Sequence, residues 1–206
     1  LGLFVFSRKV RDPVNIYYAG FTASIGFWSL GLAAFELTND RDLAIGIATF
    51  YYIVALSIGA LFFAFSTVFG IKEKQSSHFS LLVRLLPAVV VAIALGSGRF
   101  LINGFNALPS GNEIILDDID YIIYSCVFLF YFAGGFVKIG LNIRRTAGIQ
   151  QLQLKNIFFS LLLAGVPGVI FNLILPYFGN YQLVWLGPLF SVCLLYTSDA
   201  ADEGHC

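Results

Sequence analysis

The sequence has few charged residues, only three cysteines and no methionine. Charged residues make up 12% of the 206 residues, whereas soluble domains contain about 25%. Hydrophobic residues make up 58%, and the formal net charge is zero. This balance excludes the basic surface typical of nucleic-acid-binding proteins. The cysteines form neither a CxxC pair nor a zinc-binding spacing. We therefore predict an integral membrane protein with the lipid bilayer as its surroundings and no nucleic-acid partner.

Motifs that carry catalysis are also missing from the sequence. It contains no glycine-rich phosphate loop, no HExxH, no GxSxG and no paired carboxylates within an apolar run. His78, in QSSHFSLL, is interpreted as a solvated loop histidine. We predict that this chain is not itself an enzyme, with no catalytic residues, no metal site and no cofactor.

Five apolar runs are long enough to cross the bilayer, which takes about 20 residues in a helix. They are Ile16–Leu37, Leu43–Phe69, Leu81–Ile102, Tyr121–Ile143 and Asn156–Leu175. Leu1–Phe6 and Leu183–Tyr196 are interpreted as parts of an earlier and a later helix. The predicted fold is all-α: an integral membrane helical bundle, a seven-transmembrane unit whose first and last helices are truncated.

The basic residues fall almost entirely in alternate loops. Ten of the twelve lie in segments 7–15, 70–84 and 138–155, and only Arg41 and Arg99 lie elsewhere. By the positive-inside rule these three segments are cytoplasmic. The prediction is a multi-pass protein of the bacterial cytoplasmic (inner) membrane, with its N-terminus outside and its C-terminus in the cytoplasm.

Polar residues within the runs are the candidate ligand or packing residues. Arg99, in GSGRFLING, either lines an outward-facing pocket for an anion, paired with Glu36, or extends to the outer headgroups, which is the favoured reading. Asn172 is expected to hydrogen-bond across helices rather than to contact a ligand. Pro167 and Pro188 are candidate hinges, because proline removes a helical hydrogen bond.

The segment Asn106–Asp120 is acidic and lies between two predicted spans. Its carboxylates are the hard oxygen ligands that cations prefer, but EF-hand spacing is absent. We interpret it as a solvated external loop rather than as a cation site.

The residues from Arg144 to Phe190 resemble the N-terminal seven-transmembrane sensor region of bacterial histidine kinases. The likeness rests on a basic, Gln-rich loop, on Asn172 four residues before Pro176, and on Leu186-Gly187-Pro188. Near the start, LFVFSRKVRDPVN and the helix containing Trp28 are similar to that family too. The resemblance covers residues 1–192. It implies a sensory input module that passes a signal to a cytoplasmic output domain, and it carries over no binding residues.

The residues Cys193–Glu203, CLLYTSDAADE, resemble a translated sequencing adapter. The acidic residues there would fall at membrane depth, which agrees with a foreign origin. We therefore expect residues 1–192 to form a partial sensory input domain and residues 193–206 to be a non-native tail.

Together these observations predict the membrane-embedded input domain of a sensor histidine kinase whose cytoplasmic output domain, carried in cis, is missing here. The full-length protein is expected to form a homodimer and to respond to an unknown small-molecule or membrane-derived stimulus. The alternatives are the input domain of a cyclase-type signalling protein and a transporter or channel-like protein, although no internal repeat supports the latter.

Overall fold

The computed structural model describes residues 13–69, 78–108 and 111–190. The predicted helix remnant Leu1–Phe6 and the predicted non-native tail, residues 193–206, lie outside this part of the chain. The described residues fall into two compact units, 13–138 and 139–190.

Both units consist mainly of helices, and the long helices coincide with the apolar runs of the sequence. The helices are α1 (Pro13–Leu37), α2 (Arg41–Val68), α3 (His78–Gly96), α4 (Asp118–Arg145), α5 (Ile149–Val169) and α6 (Leu175–Tyr177), with a π-helical turn, Ile170–Ile174, between the last two. Residues 186–190 are also helical. Within the described residues, four helical segments are long and apolar enough to cross a membrane: α1, α2, α4 and the segment Leu154–Tyr177. The prediction of an all-α membrane fold is confirmed.

Several helix ends follow local chemistry. Asp40 precedes α2, and its side chain accepts a hydrogen bond of 2.8 Å from the Leu43 N–H, which satisfies one of the free amides of the first turn. Arg144 and Arg145 occupy the last turn of α4, where the partial negative charge of the helix end favours cations. The observed start of α2 and end of α4 therefore lie within two residues of the predicted Leu43 and Ile143.

The predicted span Leu81–Ile102 is wrong at its C-terminal end. Helix α3 ends at Gly96, and the apolar stretch within it, Val83–Gly96, is shorter than the other candidate spans. Gly98 has a φ of +69°, a left-handed conformation that commonly terminates helices. The Ser97 hydroxyl donates to the carbonyl of Ala94 at 2.6 Å. The Gly-Ser-Gly sequence therefore stops the helix before the apolar residues end.

Ile102, the last residue of the predicted span, begins an antiparallel β-hairpin in a segment that was expected to be a solvated external loop. Its strands are β1 (Ile102–Leu108) and β2 (Gly111–Leu116), with Phe105 opposite Ile114 and Asn106 opposite Glu113. An irregularity between Ile102 and Gly104 shifts the register. Four helix ends adjoin or contact this hairpin: the C-terminal ends of α1 and α3 and the N-terminal ends of α2 and α4. The hairpin and these four helix ends together are called the hairpin end.

The core of the first unit is aromatic and packs against glycine. Phe62 of α2 contacts Phe132 and Phe136 of α4, with ring centroids 5.8 and 5.1 Å apart. A Cβ atom on Gly135 would lie 2.5 Å from the Phe62 ring. Close approach of α2 and α4 therefore depends on the missing side chain at Gly135, as small residues generally permit in membrane helices.

We expect Gly135→Ala to lower the free energy of unfolding by about 1–3 kcal/mol, because an added methyl overpacks a filled core. Gly140→Ala is the matched control on the same helix, since a Cβ atom there would meet no described atom within 4 Å beyond the neighbouring backbone of its own helix. It should leave the stability unchanged or raise it by up to about 1 kcal/mol. Denaturation by SDS in mixed micelles measures both variants. Equal effects at the two positions would contradict the packing described here.

Candidate functional site

Asn112 attaches the hairpin to the end of α1. Its side-chain Nδ2 donates hydrogen bonds of 2.7 Å to the carbonyl oxygens of Phe35 and Thr38. These carbonyls lie at the C-terminal end of α1, where intrahelical amide partners run out. The Phe35 carbonyl also accepts a longer hydrogen bond of 3.4 Å from the Thr38 N–H. The Asn112 side chain is 7% exposed. A buried amide from β2 therefore supplies the hydrogen bonds that the helix end lacks.

Glu36 contributes a second contact between the same two elements. Its Oε2 accepts a hydrogen bond of 3.2 Å from the backbone N–H of Asn112. A Cβ atom at Gly111 would lie 3.3 Å from this oxygen, and Gly111 has a φ of +126°, a region that residues with a side chain rarely adopt. Glycine at this position therefore allows the first residue of β2 to pass close to Glu36.

The connection from α3 to β1 is held by the start of α4. Leu101 is 1% exposed and has a φ of +77°, which is unusual for a residue with a side chain. Its N–H donates to Asp120 Oδ2 at 3.1 Å, and its carbonyl accepts from the Asp117 N–H at 2.9 Å. Two contacts to α4 thus offset the cost of the left-handed conformation.

Asp117 caps the N-terminus of α4. Its Oδ1 accepts hydrogen bonds of 3.1 Å from the N–H groups of Ile119 and Asp120. The Asp120 N–H first, then Asn103 Nδ2 and the Ile119 N–H, hold the pKa of Asp117 below its ordinary value of 3.8. The pKa of Asp117 is lower in the folded protein than in the unfolded chain. The cap therefore stabilises the fold at pH values above the unfolded pKa, and this stabilisation is lost as the pH falls through the folded pKa.

Aromatic rings connect the hairpin to the helices beneath it. Phe105 of β1 packs edge-on against Phe35, with centroids 6.0 Å apart, and Phe35 packs against Tyr51 at 5.7 Å. Tyr51 contacts Tyr52, which contacts Tyr124 of α4 at 5.4 Å. The Tyr124 hydroxyl donates to the Tyr52 carbonyl at 3.0 Å. A chain of ring contacts therefore runs from the hairpin through α1 and α2 to α4.

The predicted partners Arg99 and Glu36 do not form an ion pair with one another in the part of the chain that the structure describes. Arg99 lies in the turn that follows α3, not within the helix, and its side chain is exposed. Within the described residues Glu36 pairs with the Asn112 backbone, and no ion pair joins it to Arg99. The same part of the chain holds no group of three or more His, Cys, Asp or Glu side chains placed to bind a metal ion.

Asn172 lies in the π-helical turn of the second unit. Its Nδ2 donates to the Gly168 carbonyl at 3.2 Å, within its own helical segment and not across helices as the sequence analysis expected. Its Oδ1 is buried and has no hydrogen-bond partner. The Leu175 N–H bonds to the Ile170 carbonyl five residues back. This wider turn relieves the clash that the ring of Pro176 would make with the Asn172 carbonyl.

The two candidate hinges lie on either side of this turn. Pro167 lies inside α5, three residues before the π-helical turn begins, and Pro188 lies within helical residues 186–190. The irregular geometry of the second unit is thus immediately downstream of Pro167. The hinge assignment itself stays a prediction.

Asn112, which joins the hairpin to the end of α1, was not among the predicted site residues. Nothing in NALPSGNEIIL marks it, because its partners lie more than 70 residues away in sequence. The structure shows an alternation in Asn112-Glu113-Ile114-Ile115, where the first and third side chains are buried and the others are more exposed. That period of two is typical of a strand with one buried face. The residue types do not follow it, because two polar residues precede two apolar ones.

The fold and the apolar helices define a multi-pass membrane protein. Residues 1–198 match the family described as the N-terminal 7TM region of histidine kinase. The chain belongs to this family, and it is a membrane-embedded sensory input region, which is a non-catalytic part of such kinases. This confirms the resemblance drawn from the sequence. No curated protein and no solved structure matches the chain.

We expect Asn112→Ala to lower the free energy of unfolding by about 1–3 kcal/mol, because the carbonyls of Phe35 and Thr38 each lose a buried hydrogen bond of 2.7 Å. Asn106→Ala is the matched control, since Asn106 is exposed in the facing strand. It should change stability by less than about 0.5 kcal/mol. Thermal unfolding in detergent micelles measures the pair. A loss no larger for Asn112→Ala than for the control would contradict the role of this amide.

Proposed function

We propose that the chain is the input domain of a sensor histidine kinase and that the hairpin end receives the stimulus. The supporting observation is the contact of Asn112 and Glu36 with the end of α1. A molecule or membrane change that moves the hairpin must break or strain these contacts. The displacement would then act on the ends of helices that cross the bilayer.

The proposed orientation puts the hairpin end outside the cell. The loops with most of the basic residues join the opposite ends of the same helices, and the positive-inside rule assigns those loops to the cytoplasm. The N-terminus is then external and the C-terminus cytoplasmic, in the bacterial inner membrane. A cytoplasmic kinase domain follows in cis, and the full-length protein acts as a homodimer.

The candidate residues have separate roles in this proposal. Glu36 holds the hairpin, and exposed Arg99 is the cation closest in sequence to the hairpin that an anionic small molecule or headgroup could contact. Asn172, Pro167 and Pro188 belong to the second unit, where the helix is irregular and can change its bend. They would pass the movement towards the output domain.

The proposal is tested by joining the chain, after residue 192, to the kinase domain of a well-behaved sensor and measuring reporter output in cells. We expect Asn112→Ala to change the basal output severalfold, because the hairpin is no longer held on α1. Asn106→Ala should leave the output at the level of the unsubstituted chimera. Immunoblots of the membrane fraction verify equal amounts of each chimera.

Unchanged output from Asn112→Ala, at equal membrane levels, would contradict the proposal that the hairpin end controls the kinase. A second check uses Arg99→Ala, which removes an exposed charge without breaking a described contact. It should alter the response only if the stimulus is anionic, and so it reports on the ligand class.

A further inference from the structure

Helix α3 contains a proline near its middle. Pro87 lies inside the helix His78–Gly96. It has no N–H to donate to the carbonyl of Val83, and its ring presses against that carbonyl. Where hydrocarbon excludes water, a backbone group without a partner costs several kcal/mol. The turn around Pro87 is therefore the weakest part of α3.

The Tyr131 hydroxyl of α4 enters α3 at this turn. It donates a hydrogen bond of 2.7 Å to the Arg84 carbonyl and accepts one of 3.3 Å from the Ala88 N–H. In a regular helix these two backbone groups bond to one another, since they are four residues apart. The Tyr131 side chain is fully buried, with 0% exposed. This pair of hydrogen bonds is called the Tyr131 bridge.

A second buried tyrosine on the same face of α4 makes a different contact. Tyr124 lies seven residues before Tyr131, and its hydroxyl donates to the Tyr52 carbonyl of α2. No proline interrupts α2, and no backbone N–H of that helix is described as donating to the Tyr124 hydroxyl. The double contact of Tyr131 is thus found beside the proline, which indicates that the bridge compensates for the interrupted helix.

The part of α3 beyond Pro87 leads directly to the hairpin. Residues 88–96 run to the turn that contains Leu101, and Leu101 is held by Asp117 and Asp120 of α4. Movement of the hairpin therefore has a covalent path to the turn at Pro87. The Tyr131 bridge lies at the other end of that path.

We infer that Pro87 is a pivot within α3 and that the Tyr131 bridge holds the pivot in one of two positions. Displacing the hairpin tilts residues 88–96 and breaks the bridge, while the part of α3 before Pro87 stays in place. What this movement signals rests on the proposed function. The pivot and its bridge do not, because they depend only on the contacts between α3 and α4.

The test is hydrogen–deuterium exchange of α3 in the full chain reconstituted in lipid nanodiscs. Tyr131→Phe removes the hydroxyl and keeps the ring, including its contact with Phe63. We expect it to speed amide exchange in residues 85–96 about threefold to tenfold, as loss of a buried hydrogen bond implies. Tyr124→Phe, the matched control, should leave exchange in α3 unchanged.

A second variant makes the inference specific to the proline. Pro87→Ala removes the ring and restores the N–H for the Val83 carbonyl, so that a regular helix can form, including the bond from the Ala88 N–H to the Arg84 carbonyl. Adding Tyr131→Phe to this variant should then speed exchange less than twofold. Equal exchange in Tyr131→Phe and Tyr124→Phe, or a full effect of Tyr131→Phe in the Pro87→Ala background, would overturn the pivot. Either result leaves the proposed function standing, because the Asn112 test in the kinase chimera does not involve α3.

Discussion

Hydrogen bonding of buried backbone groups is the constraint on which this structure depends. Within a helix every N–H and C=O has a partner, but helix ends and prolines leave some of them free. At the end of α1 the carbonyls of Phe35 and Thr38 accept hydrogen bonds from Asn112, and beside Pro87 the Arg84 carbonyl accepts one from Tyr131. At the end of α4, Gln151 Nε2 donates to the Ile143 carbonyl at 3.0 Å. In each case a side chain from another part of the chain supplies a hydrogen bond to a helix carbonyl.

These contacts also explain why a two-stranded hairpin is stable here. An isolated hairpin of this size is marginal in water. In this protein Ile114 and Asn112 are buried on one face of β2, and Phe105 packs against Phe35. The hairpin therefore gains its stability from the helix ends, and those ends gain hydrogen bonds from the hairpin. Such mutual dependence is what a sensory input region requires if an event at its surface is to reach its helices.

Much of the helical part of the fold could be predicted from the sequence, because apolar length and loop charge are local properties. The spans beginning at Ile16, Leu43, Tyr121 and Asn156 all correspond to helical segments that are long enough to cross the membrane. The span Leu81–Ile102 failed at its end because hydropathy alone does not show where a helix stops within an apolar stretch. Only the Gly-Ser-Gly sequence carried that information.

The site could be predicted far less well, because its contacts join distant residues. Glu36 was singled out from its charge, yet its partner proved to be the Asn112 backbone and not Arg99. The polar character of Asn172 was evident, whereas the π-helical turn around it follows from the position of Pro176. Tyr131 looked like any other aromatic residue of an apolar run. Its importance arises from the proline on another helix.

Native-state hydrogen exchange of the hairpin tests the central claim most directly. The claim is that the hairpin and the end of α1 are stabilised as one unit. It predicts that strand amides in residues 104–107 and 112–115 open with the same free energy as the last turn of α1. If the strand amides exchange much faster, as a free hairpin would, the hairpin is not held by the helices and the account is contradicted.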